Sequence, residues 1–502
     1  MNAYNIEKNR EVCWDDYLIE KVDGIKIQMH KPVKRNVALT LSEKWEGTSC
    51  GYFSASNKVD DKIRLYYRAS GVKDAHGEYY CFAESDDGIE FKRPNLGIKD
   101  FCGDKNNNIH FTEDRFIDNF SVYEDKNPEC PPEGRFKAVS LIFKFNETEP
   151  IDGIGLFEFD GKEHSEELGL YQSADGINFE FVRVLDVKGV FDSNNILMWD
   201  EKEEVYRLYL RDFHDKDGND VEYVPDDKVV EPWIRDVRLS KSKDLITWTK
   251  PEKLIYHGSA EDYQLYTSQI VKYHRADIFI GIPTRYINRI HDAAPANFKH
   301  LPSWEGGRQI ELEAGRRLGS ATTDAILMTS RDGLNFLRCD EQFLGSGLEK
   351  EHNWIYGDGY VAYGITETPI EGNEGKTELS IYSTDDYRNP YTPNCLYRYT
   401  IRLDGFFSWR GDFKGGYVLT KPIIFEGDSM EINFATSALG SVRVELCDLN
   451  GDVIEGYDSG NLFGDSLDRP VEFEKSLKEL NGKEIKIKFT LKDADLYSFK
   501  FN

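Results

Sequence analysis

The chain has 502 residues, of which 39% are hydrophobic and 13% aromatic, and its formal net charge is −27. A negative charge of this size repels phosphate backbones and acidic lipid surfaces, so neither nucleic acid nor a membrane is expected as a partner. The first residues lack a basic segment followed by an apolar one, and no apolar run of about 18 residues occurs, so we expect a cytoplasmic protein.

The predicted elements are strands. Tyr and Phe account for most of the aromatic residues and favour strands, whereas apolar residues rarely recur at helical spacing. A short apolar strand followed by Ser-x-Asp-Gly-x-x-aromatic recurs along the chain, at residues 85–91, 173–179, 242–248 (with Leu for Gly) and 330–336, with a degenerate copy at 402–409. In such a turn the Asp accepts backbone N–H groups, and the Gly adopts a positive φ. The pattern predicts repeated hairpins in an all-β protein.

The spacing of these turns predicts a propeller. Their Asp residues lie 88, 69, 88 and 72 positions apart, at Asp87, Asp175, Asp244, Asp332 and Asp404. Each interval accommodates four strands with loops, so we predict a five-bladed β-propeller over residues 1–412, with residues 1–40 packing on it. Its innermost strands are expected near residues 50–56, 119–125, 194–200, 267–273 and 359–365.

The remaining residues, 413–502, carry a series of short alternating strands. Six or so strands within about 90 residues are typical of a β-sandwich. We expect this domain to brace the propeller; sugar binding is the alternative.

A candidate site follows from the propeller geometry, which brings the beginnings of the innermost strands together around one axis. Each of these strands is preceded by a carboxylate: Glu46, Asp118, Asp192, Glu261 and Asp358. In so acidic a protein one such placement is close to chance, so the inference depends on the whole set. Antiparallel order returns the ends of the second strands to the same face, and these ends carry Arg68, Arg211 and Arg285.

Carboxylates and arginines on one face suit a polyhydroxylated ligand. Two carboxyl groups on opposite sides of a sugar can serve as acid and as base or nucleophile, and a third would raise the pKa of the acid. The neighbouring aromatic residues Trp45, Tyr263, Tyr286 and Trp354 are candidates for stacking on sugar rings, although packing roles explain them equally well. The predicted partner is therefore a small carbohydrate, and nothing in the sequence indicates an oligomeric state.

The repeated turns resemble those of glycoside hydrolase families 32, 43, 62, 68, 117 and 130. The sequence more closely resembles uncharacterised bacterial proteins related to family 32, in residues 14–19, 118–128, 135–138, 191–195 and 490–499. The resemblance implies cleavage of a glycosidic bond, with a furanoside such as a fructose or arabinose derivative as substrate. It also implies three acidic residues from three blades, serving as nucleophile or base, as a pKa-tuning or transition-state-stabilising Asp, and as general acid.

The sequence departs from the motifs of those families, because it has no W-x-N-D-P-N-G, no clear R-D-P and no E-C pair. By position, Asp192 is most similar to the Asp of the middle blade, and Glu261 begins a blade as the acid does. Glu46 and Asp118 compete for the remaining role. Two alternatives stay open: a glycoside phosphorylase whose arginines bind phosphate, and a carbohydrate-binding propeller without activity. No cofactor or metal is expected, because His110, His257 and His352 lack ligand spacing.

Overall fold

A computed structural model describes residues 3–47, 50–69, 78–112, 117–145, 164–221, 233–258, 264–287, 321–347, 357–385 and 393–502. Within these ranges the regular elements are strands and short 3-10 turns, and no α-helix occurs, so the all-β prediction is confirmed. Correspondingly, none of the described segments forms a helix long and apolar enough to cross a bilayer.

The chain divides into two compact units. The larger comprises Pro32–Lys272 and Phe279–Thr400, and the smaller comprises Met1–Lys31, Tyr273–Ile278 and Ile401–Asn502.

The larger unit contains five sheets of four or five strands each among its described residues. Sheets 1 to 3 follow chain order: Gly51–Val59, Lys62–Ala69, Tyr79–Ser85 and Ile109–Phe111; then Ile117–Glu124, Phe136–Phe145, His164–Ser173 and Glu180–Val184; then Ile196–Asp200, Val205–His214, Ile234–Ser242 and Glu252–Lys253. Each is an antiparallel ladder, so the first strand begins at the edge where the second ends and the third begins.

Sheets 4 and 5 depart from simple chain order. Sheet 4 contains Ile270–Lys272, Phe279–Gly281, Met328–Ser330, Asn335–Arg338 and, parallel to the last, Ile255–His257. Sheet 5 contains Tyr360–Val361, Thr377–Asp385 (which also pairs with Thr366–Pro369) and Asn394–Ile401, and its outer strand is Val33–Leu41 from the N-terminal part of the chain. A separate small sheet joins Gln264–Leu265, Thr284–Ile287 and Thr322–Ala325.

The core of the larger unit lies between successive sheets. Separate apolar clusters join sheet 5 to sheet 1, sheet 1 to sheet 2, sheet 2 to sheet 3 and sheet 3 to sheet 4. Polar side chains link the first strands: Ser121 donates to Asn194, Asn194 donates to Gln269 over 3.2 Å, and Gln269 donates to the carbonyl of Val361 over 2.5 Å. A bridge between Ser54 and Tyr363 joins sheets 5 and 1, and the apolar cluster between sheets 1 and 2 completes a closed cycle of contacts.

The smaller unit is built around two long paired strands, Met430–Cys447 and Lys486–Phe501. Further strands complete it: Tyr4–Glu7, Glu11–Val12, Ile19–Asp23, Ile25–Met29, Phe407–Gly411, Gly416–Thr420, Ile423–Phe425, Val453–Leu462 and Asp465–Val471. Phe407–Gly411 pairs with Ile25–Met29 and with Lys486–Phe501. The β-sandwich and the boundary at residue 412 stay predictions.

Candidate functional site

Residues with a left-handed backbone conformation lie at the beginnings of several first strands. The φ angles of Tyr52, Asn119 and Gln269 are 51°, 59° and 44°, and the ladder of sheet 2 shifts register between Asp118 and Ser121. Non-glycine residues adopt this conformation rarely, and bulges of this kind redirect the side chains beside them. The edge at which these strands begin is therefore distinguished by backbone geometry.

At this edge, Arg68 from sheet 1 contacts Asp118 from sheet 2. The Nη1 atom of Arg68 donates to Asp118 Oδ1 over 2.7 Å and to Asn119 Oδ1 over 3.0 Å, and it lies 3.5 Å from Glu78 Oε1. Both partners are buried, and the guanidinium lies over the ring of Tyr52. Two of the predicted site residues therefore form a buried ion pair.

Asp192 and Arg211 form the second predicted pair that the structure brings together. Arg211 Nη2 lies 3.7 Å from Asp192 Oδ2, and its Nε donates to the carbonyl of Val190 over 3.0 Å. The Asp192 side chain is 42% exposed, whereas that of Arg211 is 5% exposed. Asn119 Nδ2 donates to Asp192 Oδ1 over 3.4 Å. Because Asn119 also contacts Arg68, it connects the two ion pairs.

A third carboxyl group, that of Glu166, lies beside Asp192. The backbone N–H of Phe191 donates to Glu166 Oε2 over 2.6 Å. Burial raises the pKa of Glu166 to about 7; Arg211 opposes this shift, and the charges of Asp192 and Asp118 add to it. Glu166 is therefore partly protonated at neutral pH. We refer to Arg68, Asp118, Asn119, Glu166, Asp192 and Arg211 as the carboxylate cluster.

Sequence reasoning missed Glu166, although a signal for it existed. Glu166 is the third residue of the strand His164–Ser173, the third strand of sheet 2. In an antiparallel sheet the third strand begins at the edge where the first begins. Extending the search from the first and second strands to the third would have included it.

Glu46 and Trp45 lie in a different environment. Glu46 is fully buried and accepts hydrogen bonds from Tyr67 Oη over 2.7 Å and from Arg93 Nε over 2.8 Å. Trp45 donates to Asn108 and packs edge-on against Phe101. These contacts indicate structural roles, so neither residue belongs to the catalytic set proposed below.

The other predicted site residues are placed as follows. Arg285 forms a two-pronged ion pair with Asp324, with distances of 2.8 and 2.6 Å, and Asp358 accepts from Ser346 Oγ over 2.6 Å. Tyr286 is buried in a cluster with Tyr52, Tyr266, Ala321 and Tyr360. Glu261, Tyr263 and Trp354 lie outside the described residues.

Among the described residues, no group of three or more His, Cys, Asp and Glu side chains has a geometry that could hold a metal ion. The cluster itself offers a half-exposed carboxylate beside a carboxyl group that is partly protonated at neutral pH. Two such groups are able to exchange protons with a bound ligand.

Comparisons with known proteins return no matching family model and no matching curated protein. Solved structures similar to this chain include propeller-type glycoside hydrolases. A glycosyl hydrolase from Bacteroides ovatus is 13% identical, with a TM-score of 0.41, and the match covers 78% of this chain and 96% of that one. For a family 32 β-fructofuranosidase from Bombyx mori the identity is 10%, the TM-score 0.37 and the coverage 94% of each chain.

A further similar structure is an N-acetylgalactosamine deacetylase from F. plautii, solved with blood group B trisaccharide. Its identity is 10% and its TM-score 0.40, and the match covers 93% of this chain and 95% of that one. With identities and TM-scores this low, the chemistry of this chain has to be argued from its own side chains.

Proposed function

We propose that the chain is a glycoside hydrolase in which Glu166 is the general acid and Asp192 is the base or nucleophile. The observation that carries this proposal is the contrast between two adjacent carboxyl groups. Glu166 has a pKa of about 7, whereas Asp192 is 42% exposed and accepts from Asn119. Cleavage of a glycosidic bond requires one protonated and one ionised carboxyl group, and different environments can keep two carboxyls in these two states.

Asp118 takes the third role, held in place by Arg68. Its charge contributes to the raised pKa of Glu166, and the buried ion pair fixes its position. Of the two residues that compete for this role, the proposal assigns it to Asp118, because the Glu46 carboxylate accepts from Tyr67 and Arg93.

The five sheets of the larger unit are proposed to be the five blades of a propeller, and the smaller unit to contain the β-sandwich. The contacts between first strands and the apolar clusters between successive sheets together close a cycle, which supports the propeller. The proposed substrate is a small sugar or oligosaccharide. The narrower assignment to a furanoside depends on the sequence resemblance alone.

Two variants test the catalytic assignment on a panel of aryl glycosides and natural oligosaccharides. We expect Asp192→Asn to abolish hydrolysis of every substrate that the parent cleaves. Glu166→Gln is expected to lower kcat about 100- to 10,000-fold for substrates with poor leaving groups. It should retain much of the activity on aryl glycosides with acidic phenols, because these phenols leave without needing a proton.

The activity of the parent should fall as pH rises through about 7, because Glu166 loses its proton.

Glu180→Gln is the matched control, since Glu180 is exposed on the outer strand of sheet 2. Glu261→Gln is measured in parallel: a selective loss of activity on poor leaving groups in that variant, with Glu166→Gln unaffected, would assign the acid to Glu261. Saturable sugar binding without turnover would favour a non-catalytic propeller. Release of a sugar 1-phosphate in phosphate buffer would identify a phosphorylase.

A further inference from the structure

Asn119 occupies a strained and fully enclosed position in the carboxylate cluster. It is completely buried, its φ is 59°, and it lies within the bulge that interrupts the pairing of the first two strands of sheet 2. Asparagine tolerates the left-handed conformation better than most residues, and strain of this kind is common at functional sites. The position therefore favours an Asn for its backbone as well as for its side chain.

Hydrogen-bonding chemistry fixes the orientation of the Asn119 amide. Arg68 is a donor only, so the atom of Asn119 that faces its Nη1 over 3.0 Å has to be the carbonyl oxygen Oδ1. The NH₂ group then points to Asp192 Oδ1, 3.4 Å away. A donated hydrogen bond stabilises the ionised form of a carboxyl group. Glu166 also accepts a hydrogen bond, from the backbone N–H of Phe191, which favours its ionised form, but burial outweighs this effect and raises its pKa.

We propose that Asn119 is a positioning residue that holds Asp192 ionised and oriented, so that the proton of the carboxyl pair resides on Glu166. Arg68 acts through Asn119 by fixing the amide. This inference rests on the proposed function, because it assigns Asp192 the role of base or nucleophile. Besides Asp192, five charged groups belong to the same network of contacts: Arg68, Glu78, Asp118, Glu166 and Arg211.

The test is the pH dependence of kcat/KM for two variants, on a substrate identified in the glycoside panel. Asn119→Gly retains the left-handed backbone and removes the amide, and Asn119→Asp retains the shape but replaces the donor with an acceptor. In both, the acidic limb of the profile is expected to move to higher pH, because a donor to the Asp192 carboxylate is lost. The activity at the optimum should fall about tenfold to a hundredfold through kcat, with KM little changed.

Gln269→Gly is the matched control, because Gln269 also has a positive φ at the start of a first strand but lies in sheet 4. It should leave the acidic limb in place, and melting temperatures show whether each variant is folded. If kcat falls in Asn119→Gly and the acidic limb does not move, Asn119 has only a structural role and the inference is wrong. If Asp192→Asn and Glu166→Gln keep full activity, the proposed function itself fails, which is a different result.

Discussion

At the residue scale, three carboxyl groups in one cluster are held in three different ways. Asp118 is buried against a guanidinium, Asp192 is half exposed beside an amide and an arginine, and Glu166 accepts a backbone N–H. Burial favours the protonated acid, and it raises the pKa of Glu166 above the usual value for a Glu. Similar side chains can therefore perform different steps of one reaction.

The raised pKa of Glu166 also makes stability depend on pH. Its folded-state pKa of about 7 lies above the value of 4.5 for an unperturbed Glu, so the unfolded chain loses this proton at lower pH than the folded protein. The free energy of unfolding should therefore decrease as pH rises from about 4.5 to 7, by about 3 kcal/mol at most. We expect Glu166→Gln to remove this decrease, as measured by urea unfolding at a series of pH values.

Glu180→Gln provides the comparison, because an exposed carboxylate should leave the pH dependence of unfolding as in the parent. A Glu166→Gln variant whose stability declines across this pH range as steeply as that of the parent would show that the pKa of Glu166 is not raised.

Sequence reasoning found part of this cluster. The antiparallel order of the strands brings the beginnings of first strands and the ends of second strands to one edge. This reasoning predicted four members of the cluster: Asp118, Asp192, Arg68 and Arg211. Glu166 required the third strand to be considered as well. The bridging role of Asn119 depends on a left-handed backbone and a neighbouring sheet, and neither is visible in residue spacing.

At the element scale, the repeated turn connects neighbouring sheets. The turn of sheet 2 receives Arg64 of sheet 1, whose Nη1 donates to the carbonyl of Asp175 over 2.5 Å. In the same way, Tyr209 of sheet 3 donates to the carbonyl of Gly333 in sheet 4, and Tyr382 of sheet 5 to that of Gly88 in sheet 1. The glycines of these three turns thus lie against the second strand of the adjacent sheet.

This packing predicts a large effect of Gly176→Ala. A Cβ at this position would lie 2.5 Å from Arg64 Nη1 and 2.7 Å from Tyr66 Oη, and the φ of 75° is unfavourable for alanine. We expect the free energy of unfolding to fall by about 2–4 kcal/mol, from left-handed strain and overpacking together. Chemical denaturation measures the loss.

Gly97→Ala separates the two contributions, because Gly97 has a φ of 67° and a Cβ there would have no neighbour within 4 Å. Only the backbone contribution, about 1 kcal/mol, should appear. Equal losses in the two variants would contradict the proposed packing of the turn against sheet 1.

The exception in the third turn has a packing explanation. Leu245 stands where the other turns have Gly, and it retains a positive φ of 60°. The tyrosines that crowd the other turns are absent here: the corresponding residue of sheet 2 is Val139, and Leu245 packs in the same apolar cluster. The turn motif was thus predictable from sequence, whereas the reason for its variation required the neighbouring sheet.

At the scale of the whole molecule, the degenerate fifth turn differs from the others in the strand that follows it. Residues 402–409 follow the third strand of sheet 5, as the other turns follow theirs, but the next strand, Phe407–Gly411, belongs to the smaller unit. The outer strand of sheet 5 comes instead from Val33–Leu41. Pairing between residues more than 350 positions apart leaves no local signal in the sequence.

Asp404 is the residue of the smaller unit through which separate parts of the chain meet. It is fully buried, and its carboxylate accepts from Tyr273 Oη over 2.8 Å, from Arg275 Nε over 2.9 Å and from Ser498 Oγ over 2.7 Å. Arg10 lies 3.5 Å away. Burial opposes ionisation of Asp404, but the nearby arginines outweigh it, so its pKa lies below the usual value.

Replacing this carboxylate should therefore destabilise the smaller unit strongly. Asp404→Asn removes the fully buried carboxylate that faces the partly exposed guanidinium of Arg275, and we expect a loss of about 3 kcal/mol, seen by calorimetry as a lower melting temperature. Because the folded-state pKa of Asp404 is depressed, this stabilisation is present near neutral pH and is lost on acidification through that pKa. The difference in stability between Asp404→Asn and the parent should therefore shrink at low pH.

Asp465→Asn, which removes an exposed partner of Arg402, should change stability by less than about 1 kcal/mol. Equal effects of the two variants would show that the contacts of Asp404 do not determine the stability of this unit.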